Sequence, residues 1–372
     1  MNLKNFLLED YFDQHEFSTP YLLSQSDCES MTIKELLALE PGSEEVFLNG
    51  WLGYSEVRGA LPLRERIAAL YDNGEANHIL VHAGAEEAIY NFMQIYLEPG
   101  DHVVYMSPAY QSLYEVASSL QCNVSPWRLQ QGDEGWLLDL DELPKLITSR
   151  TKLLVLNTPH NPTGYMLSDE ELIKIARIAE EHGIFVFCDQ VYKGLEWDGS
   201  KHAWFSDLYD NSISLGVMSK AYGLAGLRIG WIMTRNQSVY DKMVKYKYYT
   251  TICSSAPSEY LSIIALKNQD KILKRNISLV QNNLAIADRF FEQHKDYFVY
   301  NKPMAGPIGF HRLNLEESIQ DFSADLINKQ GVLLLPGHVY EMDGNYFRMG
   351  YGRKNFKEGL TQFMQYFNEK IN

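Results

Sequence analysis

The sequence predicts an α/β fold: a mostly parallel, doubly wound sheet in a large domain, with a smaller α+β domain after it. Three observations carry this expectation. Between about residue 80 and residue 235, short apolar, β-branched-rich runs alternate with longer amphipathic stretches. Polar residues recur where those runs stop, and from about residue 256 the pattern changes to a long helical stretch followed by strand-like pieces. A chain of 372 residues is long enough for one large and one smaller domain, each with its own core.

In chain order, HVVYM (102–106), KLLVLN (152–157), IFVFCD (184–189) and SISLGVM (212–218) read as buried parallel strands. Such strands are covered on both faces, so their apolar residues run together instead of alternating with polar ones. Ser168, with Glu171 three residues later, forms a capping box that opens the helix EELIKIARIAEEHG and points to Gly183 as its end. Beyond residue 256, SEYLSIIALKNQDKILKRNISLVQNNLAIADRFFEQH has helical periodicity, and GPIGFHRL, GVLLLPG and NYFRMGYG are strand-like. With no repeats or low-complexity linkers, the changes of pattern set the expected units: an N-terminal segment 1–44 packing with the small domain, a large domain 45–255 and a small domain 256–372.

Acidic residues outnumber basic ones by 48 to 33, a net charge of −15, and no Lys/Arg block offers a footprint for nucleic acid or anionic lipid. No partner of either kind is expected. Cys28, Cys122, Cys188 and Cys253 lie far apart without a CxxC pair, which fits a reducing cytoplasm and no zinc site. The histidines show no metal spacing. The apolar runs are too short to cross a bilayer and the start of the chain turns acidic at once, so a soluble, untargeted protein is expected. Trp51, Trp197 and Trp204 suit either a pocket lining or core packing.

Three segments place polar residues at predicted strand ends: NTPHNPTG (157–164), CDQVY (188–192) and MSKAYGLAGLRIGW (218–231). Ligands in an open parallel sheet bind outside the carboxyl ends of the strands, so residues recurring there once per βα unit converge in space. Asn161, Asp189 and Lys220 recur in this way, 28 and 31 residues apart. Taken singly they read as a turn, a capped strand end and a solvated loop lysine, but their ordered recurrence points to a shared site. A primary amine suited to imine formation, an acid at the end of an apolar strand and an anion cradle are the parts that pyridoxal 5′-phosphate needs. Lys220 is the amine that would hold the cofactor as a Schiff base. Asp189 is the acid that would keep the ring nitrogen protonated. Asn161 or Tyr192 could donate to the ring 3′-oxygen. HAGAEEAIYNFM (82–93) offers Gly84, Ala85 and Glu86 at a helix start, to which Ser219 adds a hydroxyl and Arg228 a guanidinium for the phosphate.

These motifs resemble those of the class I/II aminotransferases, fold type I enzymes that depend on pyridoxal phosphate, through most of the chain. The resemblance implies Lys220 as the covalent lysine, Ser219 and Arg228 as phosphate ligands, and Asn161, Asp189 and Tyr192 as ring contacts. SPAY (107–110) is similar to the stretch whose aromatic covers the pyridine, implying Tyr110. GYSEVRGALPLRERIA (53–68) is similar to the segment whose tyrosine reaches a neighbouring subunit's phosphate, implying Tyr54 and a homodimer with shared sites. GVLLLPG followed by YFRMGYG implies Arg348 as a bidentate clamp on the substrate carboxylate, with Asn161 beside it.

The chain departs from the family pattern at YLLSQSDCESMTIKELL (21–37), where SDCES resembles the arginine-acting branch that includes capreomycidine synthase-like enzymes and arginine oxidases. Asp27 and Glu29 would then face a basic substrate side chain whose charge supplies their missing partner; as an alternative, they cap the following helix. The expected activity is transamination in amino acid metabolism or biosynthesis. The rivals are an oxidase, hydroxylase, cyclase or lyase acting on a cationic amino acid such as arginine, and a catalytically inactive binding module on the same scaffold.

Overall fold

The computed structural model describes residues 3–133, 135–197, 199 and 201–371. Its main sheet has seven strands: β1 (Ile79–His82), β2 (His102–Ser107), β3 (Asn123–Arg128), β4 (Thr151–Asn157), β5 (Phe185–Asp189), β6 (Ser212–Val217) and β7 (Gly230–Met233), in spatial order β1-β7-β6-β5-β4-β2-β3. All neighbours are parallel except β7, which runs antiparallel to both β1 and β6. The four apolar runs identified in the sequence are β2, β4, β5 and β6. The remaining three lacked that signature: β1 and β7 are four residues each, and β3 is a partly exposed edge carrying Pro126.

Both faces of the sheet are covered, which is why its inner strands are largely apolar. The helices that position the site are α1 (Leu7–His15), α2 (Ala85–Tyr96), α3 (Asp169–His182), α4 (Gln237–Lys247), α5 (Ala256–Lys267), α6 (Gln269–Gln293) and α7 (Phe356–Ile371). Val103 and Tyr105, Leu153 and Val155, and Phe185 and Phe187 point to one side, into a core with Ala88, Ile89, Phe92 and Met93 of α2. Val104 and Met106, Leu154 and Leu156, and Val186 and Cys188 point to the other, into a core with Leu172, Ile175, Ala176 and Ala179 of α3. Helix α3 begins at the expected capping box, with Ser168 accepting from the Glu171 amide, and ends at Gly183 in the left-handed region (φ +65°).

The long helical stretch after residue 256 is two helices, α5 and α6, broken at Asn268. The Asn268 side-chain amide donates to the Ile264 carbonyl at 3.1 Å, competing with helix continuation. A four-stranded sheet follows, β8 (Phe298–Val299), β9 (Ile308–Leu313), β10 (Leu335–Pro336) and β11 (Tyr346–Gly350), in order β8-β9-β11-β10 and antiparallel throughout. The GVLLLPG run is split: Leu335–Pro336 joins this sheet, while Val332–Leu333 pairs in parallel with Tyr21–Leu22. Beyond that pairing the chain continues along the end of β11, where the Gly350 amide donates to the Leu23 carbonyl at 2.7 Å. Side chains at Gly350 and Gly352 would overlap the carbonyl oxygens of Gln25 and Asp27, so both glycines are needed for this close approach. The contact carries residues 24–28 to Lys220, whose carbonyl accepts from the Cys28 amide. Trp204 packs in the core against Tyr71, whereas Trp51 is exposed. Among the described residues no helix is long and apolar enough to cross a membrane.

Candidate active site

A cavity of about 370 Å³ opens over the carboxyl ends of β4, β5 and β6 and is bounded by α1, the start of α2 and β11. Its lining brings together Ala85, Glu86, Tyr110, Asn161, Asp189, Tyr192, Ser219, Lys220, Arg228, Arg348 and Asp27, eleven of the fourteen residues singled out in the sequence.

Asp189 is the last residue of β5, in register with Asn157 of β4, whose side-chain amide donates to the Asp189 carbonyl at 3.1 Å. Its carboxylate accepts from the Val191 amide at 3.1 Å, yet burial pushes its pKa up to about 7 against the pull of that bond and of Lys220. Lys220 follows β6 and donates from Nζ to Ser26 Oγ at 2.8 Å. Burial lowers its pKa, which favours the neutral amine that acts as a nucleophile, although Asp27 opposes the shift.

Gly84, with φ +90°, caps α2. A Cβ there would lie 2.6 Å from Arg228 Nη2, so the absent side chain is what lets the guanidinium sit against the helix N-terminus. Arg228 itself has φ +51°, a left-handed conformation unusual for a side chain of this size and of the kind found at ligand clamps. The first amides of α2, the Ser219 hydroxyl and this guanidinium make an anion cradle. Glu86 also turns its carboxyl to the cavity, where it accepts from Ser112 Oγ at 3.0 Å and burial raises its pKa to about 7.

Arg348 on β11 is buried, and four of its five N–H donors are committed: Nε and one Nη2 hydrogen to the Ser24 carbonyl, and Nη1 to Asn161 Oδ1 and the Tyr340 hydroxyl. A bidentate grip on a carboxylate therefore requires one of these partners to yield. The same bonds orient Asn161. With its Oδ1 accepting from both Arg348 and Tyr340, its Nδ2 is left to donate.

Asp27 lines the cavity, and its carboxylate is paired with Arg353 at 2.8 Å, so a residue of this chain already supplies it with a cation. Glu29 lies outside the cavity and accepts from the Lys354 amide at 3.0 Å. Neither residue caps the next helix, which begins with a capping box between Thr32 and Glu35. Gly84 acts from behind the cavity wall, and Tyr54 is outside it, 83% exposed.

Sequence reasoning missed the N-terminal contribution. Glu9 and Phe12 of α1, Glu16, Gln25 and Ser26 all line the cavity. The Tyr110 hydroxyl donates to Glu9 at 2.9 Å, and Gln25 donates to Glu16 at 2.9 Å. These residues lie about 200 positions before Lys220 with no spacing rule linking them to it. Only the amphipathic pattern of LLEDYFDQH, with Leu8 and Phe12 on one face, hinted that α1 covers something.

The arrangement can hold an aldehyde through Lys220, a protonated ring nitrogen against Asp189 and a phosphate at the α2 cradle, which are the requirements of pyridoxal 5′-phosphate. Comparison with known proteins agrees. Residues 22–362 match the family model described as aminotransferase class I and II. Capreomycidine synthase of Streptomyces vinaceus is 28% identical over 364 residues, covering 95% of this chain and 91% of that protein. An aspartate aminotransferase of Sulfurisphaera tokodaii is 27% identical over 338 residues, covering 86% and 83%. The crystal structure of a PLP-dependent aminotransferase from Streptococcus suis matches with a TM-score of 0.93 at 30% identity, covering 99% of both chains. A PLP-dependent cyclase, OrfR, shares the fold with a TM-score of 0.91 at 23% identity, covering 100% of this chain and 98% of that one. The strand-end residues, the cavity they form and these likenesses lead to one assignment: the chain belongs to the aminotransferase class I and II family and is an enzyme that uses pyridoxal 5′-phosphate.

Proposed function

We propose that the enzyme transaminates an amino acid, with Lys220 as the covalent anchor of its cofactor. The observation that carries this reading is that Lys220 and Asp189 share one cavity with the anion cradle of Gly84, Ala85, Ser219 and Arg228. When bound, the cofactor supplies an aldehyde that takes up the substrate amine and a pyridine ring that draws electrons from the substrate Cα. Asp189 would hold the proton on the ring nitrogen. Asn161 Nδ2 and the Tyr192 hydroxyl would be the donors for the ring 3′-oxygen, and Tyr110 the aromatic for the ring face. Lys220, once free as an amine, would serve as the base and acid that moves the substrate Cα proton. Ser26, which accepts from Lys220 Nζ at 2.8 Å, would keep the released amine oriented. Arg348 receives the substrate carboxylate through its remaining Nη2 hydrogen and by exchange with Tyr340.

We further infer a homodimer in the cytoplasm. Support for the dimer comes from the apolar side chains exposed close to Tyr54 in the chain, Leu48, Trp51 and Leu52, all at least 74% exposed. Tyr54 would cross to the partner's phosphate cradle.

A second reading concerns the substrate. Glu9 and Glu16 add two carboxylates to the cavity wall, and burial raises the pKa of Glu16, so a cationic side chain bound there would relieve the cost of burying it. The likeness to capreomycidine synthase favours a basic amino acid and leaves room for an outcome other than transamination. The test is kcat/KM for arginine, lysine, glutamate and phenylalanine, with keto-acid products and oxygen uptake followed, on wild type and Glu16→Gln. Keto-acid formation without oxygen uptake is expected, as is a preference for the basic substrates that falls by about tenfold or more in the variant. Equal use of glutamate, unchanged by the substitution, would remove the cationic reading. Oxygen consumption with arginine would replace transamination by oxidation.

A further inference from the structure

Residues 55–60, which connect Tyr54 to the next helix, belong to no helix or strand. Side chains hold them instead. Lys247, the last residue of α4, is fully buried and donates from Nζ to the Val57 carbonyl at 2.7 Å. Arg64 donates to the Gly59 carbonyl at 2.8 Å, Glu259 accepts from the Ala60 amide at 3.1 Å, and Ser55 donates to the Ser254 carbonyl at 2.9 Å. Lys247 is joined to Glu87 through Thr250, whose amide donates to the Lys247 carbonyl at 3.1 Å and whose hydroxyl donates to Glu87 at 2.6 Å. Glu87 lies in the first turn of α2, where it accepts from the Ala83 amide at 2.6 Å and from the hydroxyls of Thr250 and Thr251 at 2.6 and 2.7 Å.

One chain of hydrogen bonds thus runs from the turn that opens the anion cradle, through Glu87, Thr250 and the buried Lys247, to the Val57 carbonyl three residues from Tyr54. A buried ammonium is expensive, and an apolar side chain of similar length would fill the same space at lower cost. Its presence calls for a role beyond packing.

We propose that Lys247 is a positioning residue that ties the segment bearing Tyr54 to the cofactor turn of its own subunit, so that the two cofactor sites of a dimer are energetically coupled. The proposal rests on the reading of Tyr54 as a residue that crosses to the partner. Filling one subunit's cradle orders its turn at 83–87; through Glu87 and Lys247 this fixes Val57 and presents Tyr54 to the other subunit's cradle. Linkage then requires that the second cofactor bind more tightly than the first.

The experiment titrates cofactor-free protein with pyridoxal 5′-phosphate at concentrations where sedimentation establishes the oligomer. The proteins are wild type, Tyr54→Phe, Lys247→Met and the double variant. Each single substitution is expected to weaken binding by about three- to tenfold, and the double variant is expected to be no weaker than Tyr54→Phe alone, because Lys247 acts through Tyr54. The Hill coefficient should exceed 1 in wild type and fall to 1 in Lys247→Met. If Lys247→Met does not fold, Ser55→Ala loosens the same segment without touching the buried charge and should behave in the same way. Additive losses in a dimeric protein, or a lowered Tm with unchanged affinity and Hill coefficient, would overturn the coupling. A monomeric wild type, or a dimer in which Tyr54→Phe binds the cofactor normally, would instead overturn the reading of Tyr54.

Discussion

Asp189 is buried at the end of β5 with a single backbone donor, so without a cationic partner its charged form is costly and its pKa rises from 3.8 to about 7. The folded chain therefore holds this proton more tightly than the unfolded one. The contribution to stability is complete below 3.8 and is lost as pH rises through about 7. Asn at this position keeps the bond from Val191 and never ionises. In cofactor-free protein, Asp189→Asn should raise Tm at pH 8 and raise it less at pH 5, where only part of the difference between 3.8 and about 7 has been traversed, as measured by thermal unfolding in the two buffers. The same substitution should lower kcat by at least about two orders of magnitude, the scale of losing one preorganised charge in an active site. A Tm shift of equal size at both pH values would mean that Asp189 is not the group titrating. Asp27 shows the opposite case. The sequence marks it as a carboxylate in want of a cation, but Arg353 lies 326 positions away and pairs with it only once β11 and the N-terminal segment lie side by side.

At the scale of elements, what the sequence reveals is what local physics determines. Strands β2, β4, β5 and β6 are legible because burial on both faces leaves their middles apolar on both sides, and α3 because its two ends carry their own stop signals. Strand β7 was not separable from the lysine motif that leads into it, and the break at Asn268 lies inside an unbroken helical pattern. Both depend on tertiary contacts that periodicity does not carry. The capping box at Ser168 is exposed and distant from the cavity, so it offers a clean measure of one element. Ser168→Ala removes the bond to the Glu171 amide and should cost about 1 kcal/mol in urea unfolding. Turnover should be unaffected. A loss of activity without loss of stability would show that α3 does more than cover the sheet.

Across the whole molecule, the cavity is assembled from pieces between Leu8 and Arg348, and its legibility divides along that length. Residues at the strand ends could be found because one fold rule places every βα unit's terminus at the same edge of the sheet. Glu9, Glu16 and Ser26 could not, because they arrive through the parallel pairing of Tyr21–Leu22 with Val332–Leu333 and the glycine-lined passage beside β11, which no short-range pattern encodes. The two halves of the site meet at Lys220, whose Nζ donates to Ser26 and which lines the same cavity as the acid of β5. All the proposed chemistry requires that this amine, among the chain's many lysines, be the one that bonds the cofactor. The direct measurement is to treat the holoenzyme with borohydride, digest it and locate the pyridoxyl group by peptide mass spectrometry. The account predicts the group on Lys220 and an unlabelled, colourless protein when Lys220 is replaced by Ala; a pyridoxyl group on any other lysine, or a visible absorption band that borohydride still fixes in Lys220→Ala, would contradict it.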